Sequence, residues 1–171
     1  DLVYMGNSDP ILYGGLQNTF HIYNLTLSFF FSFSIGGKIY NWSELSMAGT
    51  YTANQYRYME NAWHPVRNPE SNIPRAGAEA RMLPSDFMIH DASYLRLKNA
   101  SISYKFDFSK KSKVFRDLTL TLTGTSLFLV TPYNGFDPDV STNSSSSTLR
   151  RVDMGAYPQS RMVVFGATLR L

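Results

Sequence analysis

The side chains with the widest chemical repertoire in this chain are three histidines, His21, His64 and His90, and a scatter of carboxylates. None of the histidines stands at metal-ligand spacing from another. Ser85-Asp86 and His90-Asp91 come nearest to a nucleophilic set, but no Ser-His-Asp trio and no paired carboxylates gather in one neighbourhood. In "YNGFDPDV", Asp137 and Asp139 offer carboxylate oxygens to a hard cation. Calcium takes about six to eight oxygens, so a proline-rigidified turn with Asx hydrogen bonds accounts better for these residues. Cysteine is absent, which excludes disulfides and thiolate metal sites. The expectation is a protein without enzymatic activity, bound metal or cofactor.

Binding chemistry is better represented. Trp42, Tyr51, Tyr58, Trp63, Tyr133 and Phe136 crowd the loops and strand ends and are candidate ligand contacts. Competing roles exist for most of them. Tyr40, Trp42, Tyr133 and Phe136 also suit an interfacial girdle, where amphipathic rings favour the headgroup layer. Tyr56, Met59 and Trp63 also suit packing of a loop helix onto its neighbours. Arg57, Arg67, Arg75, Arg81, Arg150 and Arg151 are loop residues, with Glu60, Glu70 and Glu79 as natural partners. Lys110, Lys111, Lys113 and Arg116 read as a solvated turn; no basic stripe with interleaved aromatics appears, so no nucleic acid is expected.

The elements that must carry these residues are strands. The chain has 171 residues and a net charge of +3, with 43% apolar, 17% charged and 15% aromatic residues. Few charges and many rings suit a wall with one face in lipid, and equally a carbohydrate-binding sandwich. No signal peptide opens the chain, which places the start of an exported protein upstream. The longest apolar-looking run, Leu25 to Ile35, is interrupted by Thr26, Ser28, Ser32 and Ser34, and no run reaches the roughly 20 apolar residues of a spanning helix.

That run alternates with a period of two. Leu25, Leu27, Phe29, Phe31, Phe33 and Ile35 share one face; Thr26, Ser28, Phe30, Ser32 and Ser34 share the other. Further strands read at Gly15 to Ile22, Tyr94 to Phe106, Leu118 to Val130 and Arg161 to Leu171. Leu118, Leu120 and Leu122 alternate with threonines, and Val163, Phe165, Ala167, Leu169 and Leu171 share a face. Leu95 and Leu97 are out of phase with Ile102, Tyr104 and Phe106, which a bulge near Asn99-Ala100, or packing above a membrane, would explain.

The connections alternate short and long: Tyr23-Asn24, then residues 36–93, then 107–117, then 131–160. Tight periplasmic turns and extended extracellular loops give outer-membrane barrels this rhythm. Within the first long loop, Thr52-Ala53-Asn54-Gln55 fits a capping box, with Tyr56, Met59 and Trp63 following at helical spacing and His64-Pro65 as the stop. Residues 66–77 read as ordered loop, and Ser144 to Ser147 as a low-complexity tip.

Six stretches in order, "NSDPILYGGLQNTF", "LSFFFSFSIGGKIYN", "NPESNIPR", "DASYLRLKNASISYKF", "LTGTSLFLVTPYNGFDPD" and "YPQSRMVVFGATLRL", resemble the end of SusC/RagA-family TonB-linked transporters of Bacteroidetes. The resemblance covers nearly the whole chain. It implies an all-β, antiparallel transmembrane segment of about five strands in a barrel of about 22, with long extracellular loops and one short loop helix. Residues 1–171 would then be the carboxy-terminal part of a transporter, without its plug domain.

On this reading Leu25, Leu27, Phe29, Phe31, Phe33, Ile35, Leu118, Leu120, Leu122, Val163 and Phe165 face lipid. Gly166, Leu169 and Leu171 belong to a terminal strand of the type read by the barrel-assembly machinery, although leucines stand where aromatics are usual. The implied function is TonB-driven import of glycans or peptides across the outer membrane of a Gram-negative bacterium. The implied partners are the remaining barrel and plug, a SusD-like lipoprotein lid, TonB through the plug region, lipid and lipopolysaccharide; the loop aromatics would touch ligand or lid. Two alternatives stay open: a soluble or surface carbohydrate-binding sandwich with the Phe29-Phe31-Phe33 row against a second sheet, and an outer-membrane barrel without transport.

Overall fold

A computed structural model of the chain describes residues 3–49, 54–77, 85–109, 114–140 and 150–171. In chain order its elements are β1 (Leu12–Ile22), β2 (Leu25–Ile35), β3 (Lys38–Asn41), α1 (Trp42–Met47), β4 (Ile89–Asp91), β5 (Tyr94–Asp107), β6 (Asp117–Val130), β7 (Val152–Asp153) and β8 (Met162–Arg170). They divide into two compact units. One combines Pro10–Gly36, Ser93–Pro132 and Pro158–Leu171; the other combines Asp1–Asp9, Gly37–Ala92 and Tyr133–Tyr157.

The first unit is a five-stranded antiparallel sheet in the order β1-β2-β5-β6-β8. All five sequence-predicted strands are present. β1 begins at Leu12 rather than Gly15, because Gly14 and Gly15 continue the strand instead of breaking it. A Cβ on Gly14 would lie 3.1 Å from the Phe33 ring, and one on Gly15 2.7 Å from the Phe30 ring, so bare backbone lets those rings lie across the neighbouring strand. The β1–β2 hairpin closes on Tyr23 and Asn24, with Tyr23 at φ 52°, and pairs Ile22 with Leu25.

Register then carries one alternation across the sheet. Leu27 pairs with Phe20 and Ile102; Ile102 pairs with Leu122; Leu122 pairs with Phe165. The opposite residues are small or polar: Ser28 pairs with Thr19 and Ser101, and Ser101 with Thr123, whose hydroxyls lie 3.3 Å apart. The bulge expected near Asn99 is present. Asn99 pairs with Phe30 and Leu97 with Phe31, so the extra residue is Lys98. That insertion restores the phase and puts Leu95 and Leu97 opposite Phe33 and Phe31. Ser126, at φ 50°, marks a matching irregularity in β6.

The second unit draws most of its residues from the two long connections, and it is more structured than a loop reading allows. A three-stranded sheet of order β4-β3-β7 pairs Ile39 with His90 antiparallel and Asn41 with Asp153 parallel. Two small cores hold it: Ala48, Met59 and Met88, and Ile39, Ala92 and Tyr133.

The helix predicted after Thr52 is not formed as such. Thr52 and Ala53 lie outside the described residues, and Arg57–Asn61 forms a 3-10 turn, with Met59 N–H bonded to the Tyr56 carbonyl at 3.0 Å. Tyr56 before it is extended and Ala62 after it leaves helical geometry, so the turn does not continue into a longer helix. The α-helix stands earlier, at α1, where the Asn41 side chain accepts the Glu44 N–H at 3.0 Å.

Candidate functional site

Two surfaces have functional geometry. The first is the apolar face of the five-stranded sheet. Its side chains come from alternate positions of every strand, and many of them are exposed: Val163 is 65% and Phe165 67% exposed, and Leu122, Ile102 and Tyr104 are also exposed. Aromatic contacts run across it, from Phe20 to Phe29 to Phe31 to Phe128, with centroids 5.6–6.0 Å apart. A continuous apolar face of this size left bare is unusual for a protein surrounded by water.

The second is the loop unit. Beneath its surface lies a polar network. Asp153, 1% exposed, accepts from the Tyr133 hydroxyl at 2.6 Å and from the N–H groups of Gly155 and Ala156 at 2.9 and 3.1 Å. His90 Nε2 meets the buried Glu44 carboxylate at 2.6 Å, an ion pair whenever the imidazole is protonated. The His90 and Tyr133 rings are 5.8 Å apart. Burial, reinforced by the Asp153 carboxylate, pushes the Tyr133 hydroxyl far above the ordinary phenol range; burial, with Glu44 beside it, does the same to Tyr58. Asp153 with Tyr133, and Glu44 with His90, satisfy one another, which suits a scaffold rather than a reaction.

At the surface of this unit, residues 59–76 enclose a cleft of about 490 Å³, lined among others by Glu60, Trp63, His64, Arg67, Asn68 and Arg75. Its frame is tied by backbone bonds between His64 and Asn68 and from Trp63 N–H to the Ile73 carbonyl, and by the indole N–H donating to Pro69 at 3.1 Å. His64 Nδ1 accepts the N–H groups of Val66 and Arg67 at 3.1 and 3.2 Å. That fixes the lone pair on Nδ1 and the proton of the neutral ring on Nε2. Arg67 and Arg75 are exposed and pair with neither Glu60 nor Glu70, while Arg150 takes Asp9.

No family model matches the chain. Whole-sequence and structural comparison do find relatives. The TonB-dependent receptor P3 of Formosa agariphila is 31% identical over 99% of this chain and 17% of its own length. SusC, a TonB-dependent receptor of Bacteroides thetaiotaomicron, is 23% identical over 91% of the chain and 15% of its own length. The RagAB peptide importer in its closed-closed state superposes with a TM-score of 0.78 and 25% identity, over 97% of this chain and 18% of that one.

The chain is homologous to the SusC/RagA-type TonB-dependent receptors. It spans about a sixth of the length of the curated relatives it matches. Receptors of this family are transport proteins and not enzymes.

Against the receptor homology, the sequence-selected residues fall in different places. Trp42 opens α1, exposed, with its ring 6.2 Å from Tyr40. Tyr58 stacks on Tyr56 and meets Phe87 edge-on. Trp63 lines the cleft, Phe136 is exposed, and Tyr133 is core, 5% exposed with its hydroxyl on Asp153. Tyr51, Arg81, Glu79, Lys110, Lys111, Lys113 and Ser144 to Ser147 lie outside the described residues. Asp137 accepts the Asp139 N–H at 2.9 Å, the Asx turn expected there. Gly166 and Leu169 sit in β8 opposite Thr121 and Leu118, and Leu171 follows it. Sequence reading missed Asn41, Glu44 and Asp153. Asn41-Trp42-Ser43-Glu44 has the spacing of a capping box and was the signal available.

Proposed function

We propose that this chain forms part of the wall and outer loops of a TonB-dependent outer-membrane importer of glycans or peptides that works with a SusD-like lipoprotein lid. The observation that carries the reading is the bare apolar face, continuous in register across all five strands and backed by serines and threonines. Hydrocarbon is the solvent that such a face matches, and a polar lumen matches the other side. An eleven-residue strand such as β2, at about 3.3 Å per residue and tilted about 45°, covers roughly 26 Å, close to the height of the apolar band of such barrels.

β1 and β8 each have one edge without a partner strand in the sheet. Lipid tolerates no open edge, so further strands of the same protein complete the barrel, and Gly166, Leu169 and Leu171, in or beside β8, are the proposed contact for the barrel-assembly machinery. Leu25 to Ile35 at alternate positions, with Leu118, Leu120, Leu122, Val163 and Phe165, then face acyl chains. The loop unit belongs on the cell exterior, where the exposed Trp42, Trp63 and Phe136 would meet solute or lid. The chain's part in transport is passive: it anchors the barrel and shapes the vestibule, while energy coupling belongs to the plug. A sandwich would need the apolar face covered, and the exposure of Ile102, Leu122, Val163 and Phe165 on that face favours the barrel reading instead.

Proteolysis of intact cells tests this arrangement. Cleavage from outside is expected within residues 37–92 or 133–157 and not at the Tyr23-Asn24 or 107–117 turns. Cleavage at those turns in intact cells, or recovery of the protein in the soluble fraction without detergent, would contradict it.

A further inference from the structure

We infer that the cleft at residues 59–76 is a binding site for a carboxylate-bearing ligand. It is lined by two guanidinium groups, Arg67 and Arg75, the imidazole of His64, the Asn68 side chain and one carboxylate, Glu60. Two fixed positive charges against one negative leave the cleft cationic. The donor inventory is matched to an oxyanion: guanidinium groups offer paired N–H donors of carboxylate geometry. His64 adds a donor at Nε2 and cannot serve as acceptor there, because its Nδ1 lone pair is engaged by Val66 and Arg67 N–H.

Three features separate this cleft from a mere solvated arginine patch. Its backbone frame is held by its own hydrogen bonds, through His64–Asn68, Trp63–Ile73 and Ile73 N–H to Ser71 Oγ at 3.1 Å, so the donors need little ordering on binding. Neither guanidinium is spent on Glu60 or Glu70. Trp63, 38% exposed with its indole N–H already engaged by Pro69, leaves an aromatic surface for stacking beside the charges. The volume, about 490 Å³, lies within the roughly 300–1,000 Å³ of small-ligand sites and fits one sugar residue or a chain terminus. The same carboxylate can come from a uronic acid or from a peptide carboxy terminus.

The inference deepens the importer reading by giving one loop surface a ligand class, but binding can be measured without transport. The test is calorimetric titration of the full-length protein with trigalacturonate, its methyl ester, trialanine and trialanine amide. Binding of trigalacturonate or trialanine, with the esterified or amidated partner at least about tenfold weaker, is expected. Arg67→Gln and Arg75→Gln should each weaken the charged ligand by about tenfold and flatten its salt dependence, while Arg57→Gln, outside the cleft, should not. Absence of binding by both charged ligands, equal binding of charged and neutral partners, or unchanged affinity in the two cleft variants overturns the site. The importer reading would survive any of these, since it is tested by topology and not by this affinity.

Discussion

Replacing Asp153 with alanine removes the acceptor that gathers three donors in the loop unit: the Tyr133 hydroxyl and the N–H groups of Gly155 and Ala156. Bonds to a charged acceptor contribute about 1.5–3 kcal/mol each, and a buried donor left without a partner costs about 1–3 kcal/mol. The terms do not add in full, because water can enter beside the exposed end of this turn, and a net loss of about 3 kcal/mol is expected. Asp153→Asn keeps the size and one acceptor oxygen and should lose about 1 kcal/mol. The assay is native-state hydrogen exchange of the full-length protein in detergent. Exchange at Gly155 and Ala156 should accelerate on the order of 100-fold in the alanine variant and about fivefold in the asparagine variant. Amides of Ile102 and Leu122 should keep their rates. Unchanged exchange at Gly155, or equal acceleration in β5 and β6, would refute the assignment of Asp153 as a local clamp.

The Tyr133 and Tyr58 hydroxyls sit above the ordinary phenol value of 10.0 in the folded state. Above pH 10 the unfolded chain therefore holds fewer protons, so stability present below pH 10 is lost as pH rises beyond it. Melting temperatures by near-UV circular dichroism should fall as pH rises from about 10 upward, and fall less steeply in Tyr133→Phe. Gly135→Ala would drive a methyl into the Tyr133 ring, and a loss of about 1–3 kcal/mol, as for overpacking, should appear as a lower melting temperature. Leu122→Arg puts a charge on the apolar face at a cost of about 2–4 kcal/mol near the bilayer midplane, whereas Thr121→Arg faces the other way. Quantified outer-membrane fractions should show depleted Leu122→Arg and near-normal Thr121→Arg.

Where hydrophobic pattern is local, the sequence was readable. The Leu25 to Ile35 alternation, the two-residue hairpin and the phase slip in β5 each sit within a few residues and appear where expected, the bulge falling at Lys98. The start of β1 was hidden because Gly14 and Gly15 imitate a turn, and their reason, the rings of Phe33 and Phe30, lies on another strand. β3, β4 and β7 are short, and their pairing joins Asn41 to Asp153 across most of the chain, which no window reports. Asn41 and Glu44 carry the same spacing as Thr52 and Gln55, and only the burial of Glu44 against His90 distinguishes the helix cap. The cleft was half visible: Trp63 was selected as a ring, but Arg67, Arg75 and His64 join it only through the folding of residues 62–76.

The chain contains no cysteine, so single cysteines can report the solvent on each face of the sheet. In outer-membrane vesicles of the full-length protein, otherwise free of cysteine, a water-soluble maleimide should label Ser28→Cys and Thr121→Cys and leave Phe29→Cys and Leu122→Cys unlabelled until the membrane is dissolved and the protein denatured. Labelling of Phe29→Cys and Leu122→Cys at the rates of their neighbours would mean that water reaches the apolar face, and the sheet would not be a membrane wall.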